Sequence, residues 1–272
     1  MIIKNGLNSF QIKIIALIFM VFDHIHYIFA GVYNIPMWFN ILGRLSAPLF
    51  IFIVTNGMIY TRNAKKYLLR LWIGFVFMNI GNDIINKFFP LKSGGIIINN
   101  IFSTLFVICL IIYCMQKIKE NKNNKKNIFK YIIIMLIPFI TSVIIFLLMA
   151  STTPITIKIF KIFMTFIPSA LFVEGGILFI LLGVGLYLCK QNKIKIAIFY
   201  TIFSFIVLLS GYVPERPIES MFIWNIQYFM IFSLPIMLLY NNKKGKSMKY
   251  FFYLFYPAHI YIFTIISYLI SK

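Results

Sequence analysis

The chain has 272 residues, 61% of them hydrophobic and 12% charged, whereas a soluble domain is near half apolar and a quarter charged. Its apolar residues come in blocks of about 20, the length that crosses roughly 30 Å of hydrocarbon, and this excludes a single water-soluble core. The net charge of +20, from 26 Lys and Arg against 6 Asp and Glu, is dispersed in short clusters between the blocks. Such a distribution speaks against a nucleic-acid-binding domain and fits loops facing an anionic membrane leaflet.

The pattern predicts an all-α, polytopic transmembrane helix bundle, one domain over 1–272, with the lipid bilayer as its medium. Nine spans are predicted, at approximately 9–30, 41–61, 67–86, 96–116, 129–150, 171–189, 194–213, 220–240 and 250–271. The first block has no small-residue cleavage site and continues to full spanning length, so it reads as a span and not as a signal peptide. The stretch 151–170 is apolar but contains Lys158 and Lys161 and has Pro154 and Pro168 near its ends. It fits an interfacial helix, a re-entrant segment or a tenth crossing. Cys109, Cys114 and Cys189 lie in or near spans without CxxC spacing, so neither a disulfide framework nor a metal site is expected.

Counting Lys and Arg along the chain gives the orientation. Lys4 precedes span one, and the connection 31–40 has no charge. Arg62, Lys65 and Lys66 follow span two, and only Lys87 and Lys92 follow span three. Six lysines from Lys117 to Lys130 follow span four, and only Lys158 and Lys161 follow span five. Lys190, Lys193 and Lys195 come next, then Arg216 between Glu215 and Glu219, then Lys243, Lys244, Lys246 and Lys249. Rich and poor connections alternate, which predicts a cytoplasmic N-terminus and an outer C-terminus in a cell membrane. A tenth crossing at 151–170 would break that alternation.

An ionisable side chain in the hydrocarbon costs a few kcal/mol, roughly 3 on insertion scales, so it usually faces the bundle interior. Those noted here are Lys13, Asp23, His24, His26, Arg44, Asp83, Glu174 and His259, which include all 3 histidines. Lys13 and His24 are 11 residues apart, three turns plus about 20°, so they share one helix face about 16 Å apart along the axis. Asp23 is offset by a quarter turn and His26 points nearly opposite. Arg44, entering span two from the outer side, reaches the depth of His24, and His259 lies within a turn or two of the midplane. These depths allow one outward-open polar cavity with Lys13 at its cytoplasmic mouth. Blander readings stand beside it: Lys13 can snorkel, Asp23 and Arg44 can neutralise each other, and a lone His can join helices.

The segments QIKIIALIFMVFDHIHYIF (11–29), ILGRLSAPLFIFIVTNGMIYTRNAKKYLLR (41–70) and LPIMLLYNNKKGKSMKYFFYLFYPAHIYIF (234–263) resemble the opening and closing signatures of the TraX family. The shared elements are Lys…Met-x-x-Asp-His, Gly-Arg…Pro-Leu-Phe, Thr-Arg…Tyr-x-x-Arg and Phe-Tyr-Pro-x-His. The family's Tyr-Asn-Gly turn is here Tyr240-Asn241-Asn242. The spacing of Lys13 and His24 is also similar to that of the wider acyltransferase-3 membrane enzymes, which carry a basic residue and a His in the first span.

The family is named for the enzyme that acetylates the N-terminus of F pilin. The resemblance therefore implies a bacterial, multi-pass O- or N-acetyltransferase that uses cytoplasmic acetyl-CoA and no metal. The expected acceptor is an amine or hydroxyl of an exported peptide or a surface glycan, of unassigned identity. His24 is expected to act as general base, oriented by Asp23 or a neighbouring acid, with Arg44 or His259 stabilising the oxyanion. Lys13 and Arg70 are expected to contact acetyl-CoA. The main alternative is a transporter or flippase, against which the lack of inverted repeats and of broken twin spans in the sequence argues. A silent membrane scaffold is a third.

Overall fold

The computed structural model describes residues 6–98, 100–150 and 153–272. Lys4, Ser151, Thr152 and the side chain of Lys249 lie outside the described residues. Among the described residues the regular structure is helical, and a single isolated bridge joins Leu7 and Tyr240. The helices are α1 (Ser9–Phe29), α2 (Trp38–Gly43), α3 (Ser46–Tyr60), α4 (Ala64–Phe88), α5 (Ile101–Glu120), α6 (Lys125–Met149), α7 (Pro154–Phe166), α8 (Gly176–Leu188) and α9 (Lys193–Leu209). After them come α10 (Pro217–Glu219), a π-helical turn (Ser220–Trp224), a 3-10 segment (Ile226–Ser233), α11 (Leu234–Leu238) and α12 (Lys249–Ser271).

Among the described residues six helical stretches are long and apolar enough to cross a membrane: α1, Trp38–Tyr60, α4, α5, α6 and Tyr250–Ser271. The other three expected spans fall on shorter or broken helices. The 171–189 block contains the 13-residue α8, and the 194–213 block the 17-residue α9. The 220–240 block is two pieces, Pro217–Trp224 and Ile226–Leu238, bent by 49°. The expected continuous span at 220–240 is thus interrupted, and the bend has a local cause. Asn225 sits at the joint, where its Oδ1 accepts the Gln227 N–H at 3.2 Å and its Nδ2 donates to the Val207 carbonyl at 2.7 Å. An asparagine side chain that serves the backbone in this way competes with the helical ladder.

The chain forms two compact units, each discontinuous in sequence. The first consists of residues 1–53, 85–97 and 188–272. In it α1 opens on a capping box: Asn8 Oδ1 accepts the Gln11 N–H at 3.0 Å, and Gln11 Oε1 accepts the Asn8 N–H at 2.9 Å. Two orphan donors of the first turn are satisfied this way. α1 and α12 run in the same direction, with Phe10 edge-on to Phe252, Phe29 against Phe263, and Ser267 Oγ donating to the Ile28 carbonyl at 3.1 Å. α2 returns along α1, where Phe39 packs edge-on to Phe22, and Ser46 Oγ then donates to the Ala16 carbonyl at 2.8 Å.

The second unit consists of residues 54–84 and 98–187. α5 is its core, with 67% of its most apolar window buried. Its far end is tied to the end of α3 by Gln116 Nε2, which donates to the Met58 carbonyl at 3.1 Å. α7 follows α6 in the chain, and the irregular segment after α7 reaches the middle of α6. There the Ala170 N–H meets the Pro138 carbonyl at 2.9 Å and Ser169 Oγ meets Ser142 Oγ at 2.8 Å. α8 then runs in the sense of α5, with Thr104 Oγ1 on the Glu174 carbonyl at 2.7 Å before it and Gly183 against Ile108 along it.

Candidate functional site

The first unit brings together the two buried histidines. His24 and His259 are 3% and 5% exposed, and His24 Nδ1 lies 2.6 Å from His259 Nε2. Such a contact between two ring nitrogens needs one donor and one acceptor. On its other side His259 Nδ1 is 2.8 Å from the Phe255 carbonyl, which can only accept, so Nδ1 carries hydrogen. In a neutral pair His259 Nε2 is then the acceptor and His24 Nδ1 the donor. That assignment, made from the hydrogen-bond network, leaves the lone pair of the dyad on His24 Nε2.

The dyad is built from two helices 235 residues apart and held by aromatic packing. Phe255, one turn before His259, stacks on its ring at 5.1 Å, and Phe263, one turn after, meets it edge-on at 5.8 Å. Tyr256 lies edge-on to His24 at 6.1 Å. Those contacts restrict both imidazoles.

Asp23, the next residue along α1, faces a different partner. Arg44 Nη2 donates to Asp23 Oδ1 at 2.5 Å and to Asn40 Oδ1 at 2.6 Å, and Arg44 Nε donates to the Asn40 carbonyl at 3.3 Å. Nη1 makes only a long contact, 3.4 Å, to Gln227 Oε1. Gly43 allows this approach: a Cβ there would fall 2.2 Å from Asp23 Oδ1 and 2.4 Å from its Cβ. The residue that meets His24 Nδ1 is accordingly His259, and Asp23 is the counter-ion of Arg44. His26 stands apart from the dyad and lines a cavity of about 370 Å³ with residues 30–35.

Lys13 is on the same helix as His24, with Nζ 5.5 Å from the Phe252 ring centroid. Around this end of α1 wraps the basic segment before α12. The Ser9 N–H meets the Lys243 carbonyl at 2.8 Å, Gly245 lies against Asn8, and Lys244 is close enough to Lys13 for the two charges to act on each other. In the sequence Lys243 and Lys244 read only as part of a basic loop, and their place around the start of α1 comes from packing. Their one sequence signal was the Lys-Lys-Gly-Lys turn itself.

Arg70, Asp83 and Glu174 belong to the second unit. Arg70 lies over the Tyr67 ring at 5.8 Å, and its buried Nε has no hydrogen-bond partner. Asp83 is exposed, whereas Glu174 is half-buried and its Oε2 accepts the Asn100 N–H at 3.0 Å. No group of three His, Cys, Asp or Glu able to hold a metal ion occurs among the described residues.

The profile of the TraX protein family matches residues 9–267, from the first residue of α1 to the penultimate turn of α12. The chain belongs to the TraX family. No curated protein and no solved structure matches it. In this TraX-family chain the matched region contains Lys13, Asp23, His24, Arg44, Arg70 and His259, together with the Gly43-Arg44 step that brings α2 against α1.

Proposed function

We propose that this TraX-family protein is a membrane acyltransferase that moves an acetyl group from cytoplasmic acetyl-CoA to an amine or hydroxyl of an exported peptide or surface glycan. The observation that carries the reading is the buried imidazole pair, whose hydrogen-bond network leaves the lone pair on His24 Nε2, one residue along α1 from the Asp23 that holds Arg44. His24 Nε2 takes the proton from the acceptor N–H or O–H as that atom attacks the thioester carbonyl carbon. Arg44 Nη1 stabilises the oxyanion that forms, while Asp23 and Asn40 fix the guanidinium. The C–S bond then breaks, and the proton on His24 passes to the departing CoA sulfur. His259 keeps His24 in the productive tautomer through its acceptor nitrogen. Lys13, with Lys243 and Lys244 beside it, contacts the phosphates of CoA.

Nine crossings with a cytoplasmic N-terminus remain the favoured topology. The parallel run of α1 and α12 supports an odd count, and nine is reached when α7 with α8, and the bent pair at 217–238, are each one crossing. Under it Lys13 lies toward the cytosol and His24 toward the outer face.

The test is acetyl-CoA turnover by the purified protein in lipid. Release of free CoA thiol, stimulated by an acceptor peptide or glycan and lost in His24→Ala, is the expected result. Turnover unchanged in that variant would remove His24 from the chemistry. The broken crossings favour one second reading, a transporter. Solute flux into liposomes without acyl donor, in a protein that fails to bind acetyl-CoA, would establish it in place of the enzyme.

A further inference from the structure

The segment 217–238 of the first unit is irregular over most of its length, and the irregularity is held in place. It runs from α10 through one π-helical turn, Ser220–Trp224, into the 8-residue 3-10 segment Ile226–Ser233. Runs of 3-10 helix beyond about four residues are uncommon, and π-helical turns are rare and collect at functional sites. Here α9 supplies the fixings. Asn225 at the joint donates to the Val207 carbonyl at 2.7 Å. Gly211 permits that approach, since a Cβ there would fall 2.6 Å from the Asn225 Cβ. Beyond the joint Tyr200, 0% exposed on α9, donates its hydroxyl to the Met230 carbonyl at 2.8 Å and lies 2.6 Å from Ser233 Oγ.

Between those two fixings stands Gln227, and its side chain reaches Arg44. A guanidinium only donates, so the amide meets it with Oε1, 3.4 Å from Nη1. On the other side Gln227 Nε2 has the Met230 sulfur at 3.8 Å, a weak acceptor. Arg44 engages Asp23 and Asn40 through Nη2 and the Asn40 carbonyl through Nε, which leaves Nη1 as its loosely held edge. Asp23 is the residue before His24, and Arg44 is close enough to His24 for its charge to act there. Two donors with weak partners, Arg44 Nη1 and Gln227 Nε2, are thus separated by one amide oxygen.

We propose that Gln227 is a catalytic residue of the acetyl transfer, its Nε2 donating one hydrogen bond to the thioester oxygen while Arg44 Nη1 donates another. The inference rests on the acetyltransferase reading above. As the acceptor N or O bonds to the carbonyl carbon, the C=O electron pair moves onto oxygen. That oxygen displaces Gln227 Oε1 from Nη1, and the amide turns so that Nε2 faces it. When the C–S bond breaks, the C=O bond reforms, the proton passes from His24 to the departing sulfur, and both donors return to their long resting contacts. Donors that engage as charge develops lower the barrier without tightening the ground state.

The experiment is steady-state kinetics of CoA release by the full-length protein in lipid, with acetyl-CoA varied, in Gln227→Met, Gln227→Asn and His24→Ala. Removing one oxyanion donor lowers kcat by about 10²- to 10³-fold. Gln227→Met keeps the length of the side chain without a donor. It should show that loss in kcat, with KM for acetyl-CoA within about threefold of the native value and the unfolding temperature unchanged. Gln227→Asn, whose amide is drawn back by a methylene, should lose less. If the methionine variant folds poorly, Gln227→Glu, of native shape and without a donor when ionised, should show the loss in its stead. Native kcat in a folded donor-free variant, or equal losses in Gln227→Met and Gln227→Asn, would overturn the proposal. A loss in His24→Ala would in that case still uphold the acetyltransferase reading, whereas native turnover in both His24→Ala and Gln227→Met would remove the two together.

Discussion

At the level of single side chains, the division of labour between the two pairs on α1 makes distinct predictions. Replacing His24 by Ala should lower the rate of acetyl transfer by about 10²- to 10⁴-fold, the usual contribution of a general base. His259→Gln retains an oxygen that can accept from His24 Nδ1, and His259→Leu does not. Steady-state kinetics should therefore show a larger kcat loss for the leucine variant, with acetyl-CoA binding alike in both; equal losses would deny His259 its orienting role. The Asp23–Arg44 pair is about a quarter exposed on each side chain, so solvent weakens it. A double-mutant cycle with Asp23→Ala and Arg44→Ala, read by unfolding in detergent, should give a coupling of about 1–2 kcal/mol. Helical arithmetic on α1 was enough to put His24 on the interior face, because eleven residues fix the angle between it and Lys13. Which residue would meet it was not legible: depth in a membrane constrains His259 to a level, and only packing makes α12 the neighbour of α1.

Among the elements, the contact between α1 and α2 depends on one missing side chain. Gly43→Ala puts a methyl group 2.2 Å from Asp23 Oδ1, so the helices must part or Asp23 must turn from Arg44. Overpacking of this kind costs about 1–3 kcal/mol, and a lowered unfolding temperature together with reduced transfer should be seen. Unchanged values in both would show that the approach is not needed. The short helices illustrate a limit of hydropathy reading. A window of about 20 apolar residues averages over a break, so 171–189 and 220–240 score as spans although the helix of the first begins only at Gly176 and that of the second is bent within it. The signals for interruption were present in Gly175-Gly176 and in Asn225. Their force comes from partners, Phe179 for the glycine and the Val207 carbonyl for the asparagine, that the sequence does not announce.

For the molecule as a whole the decisive quantity is the number of crossings. Reporter fusions should give a cytoplasmic signal after residues 122, 191 and 244, and an outer signal after residues 33, 92, 214 and 272. An inner C-terminus would reject the odd count and with it the parallel course of α1 and α12 across the bilayer. The same topology requires that donor and acceptor approach the first unit from opposite faces. Membrane-impermeant modification of Lys244, blocked by acetyl-CoA only when applied from the cytoplasmic face, examines that requirement.

Sequence alone determined the medium, the helical class and the family, since apolar block length and the Asp-His, Gly-Arg and Pro-x-His signatures are local and survive without any knowledge of packing. It also set Lys13 and His24 on a common face. The tertiary structure decided what touches what: the imidazole pair across 235 residues, the arginine that neutralises Asp23, the lysine segment around the start of α1, and the broken segment that carries Gln227 to Arg44. The physical reason is that an α-helix satisfies its own backbone, so nearly every hydrophobic segment can stand in a bilayer by itself. Its choice of neighbours rests on small residues, polar contacts and shape, which act between segments remote along the chain.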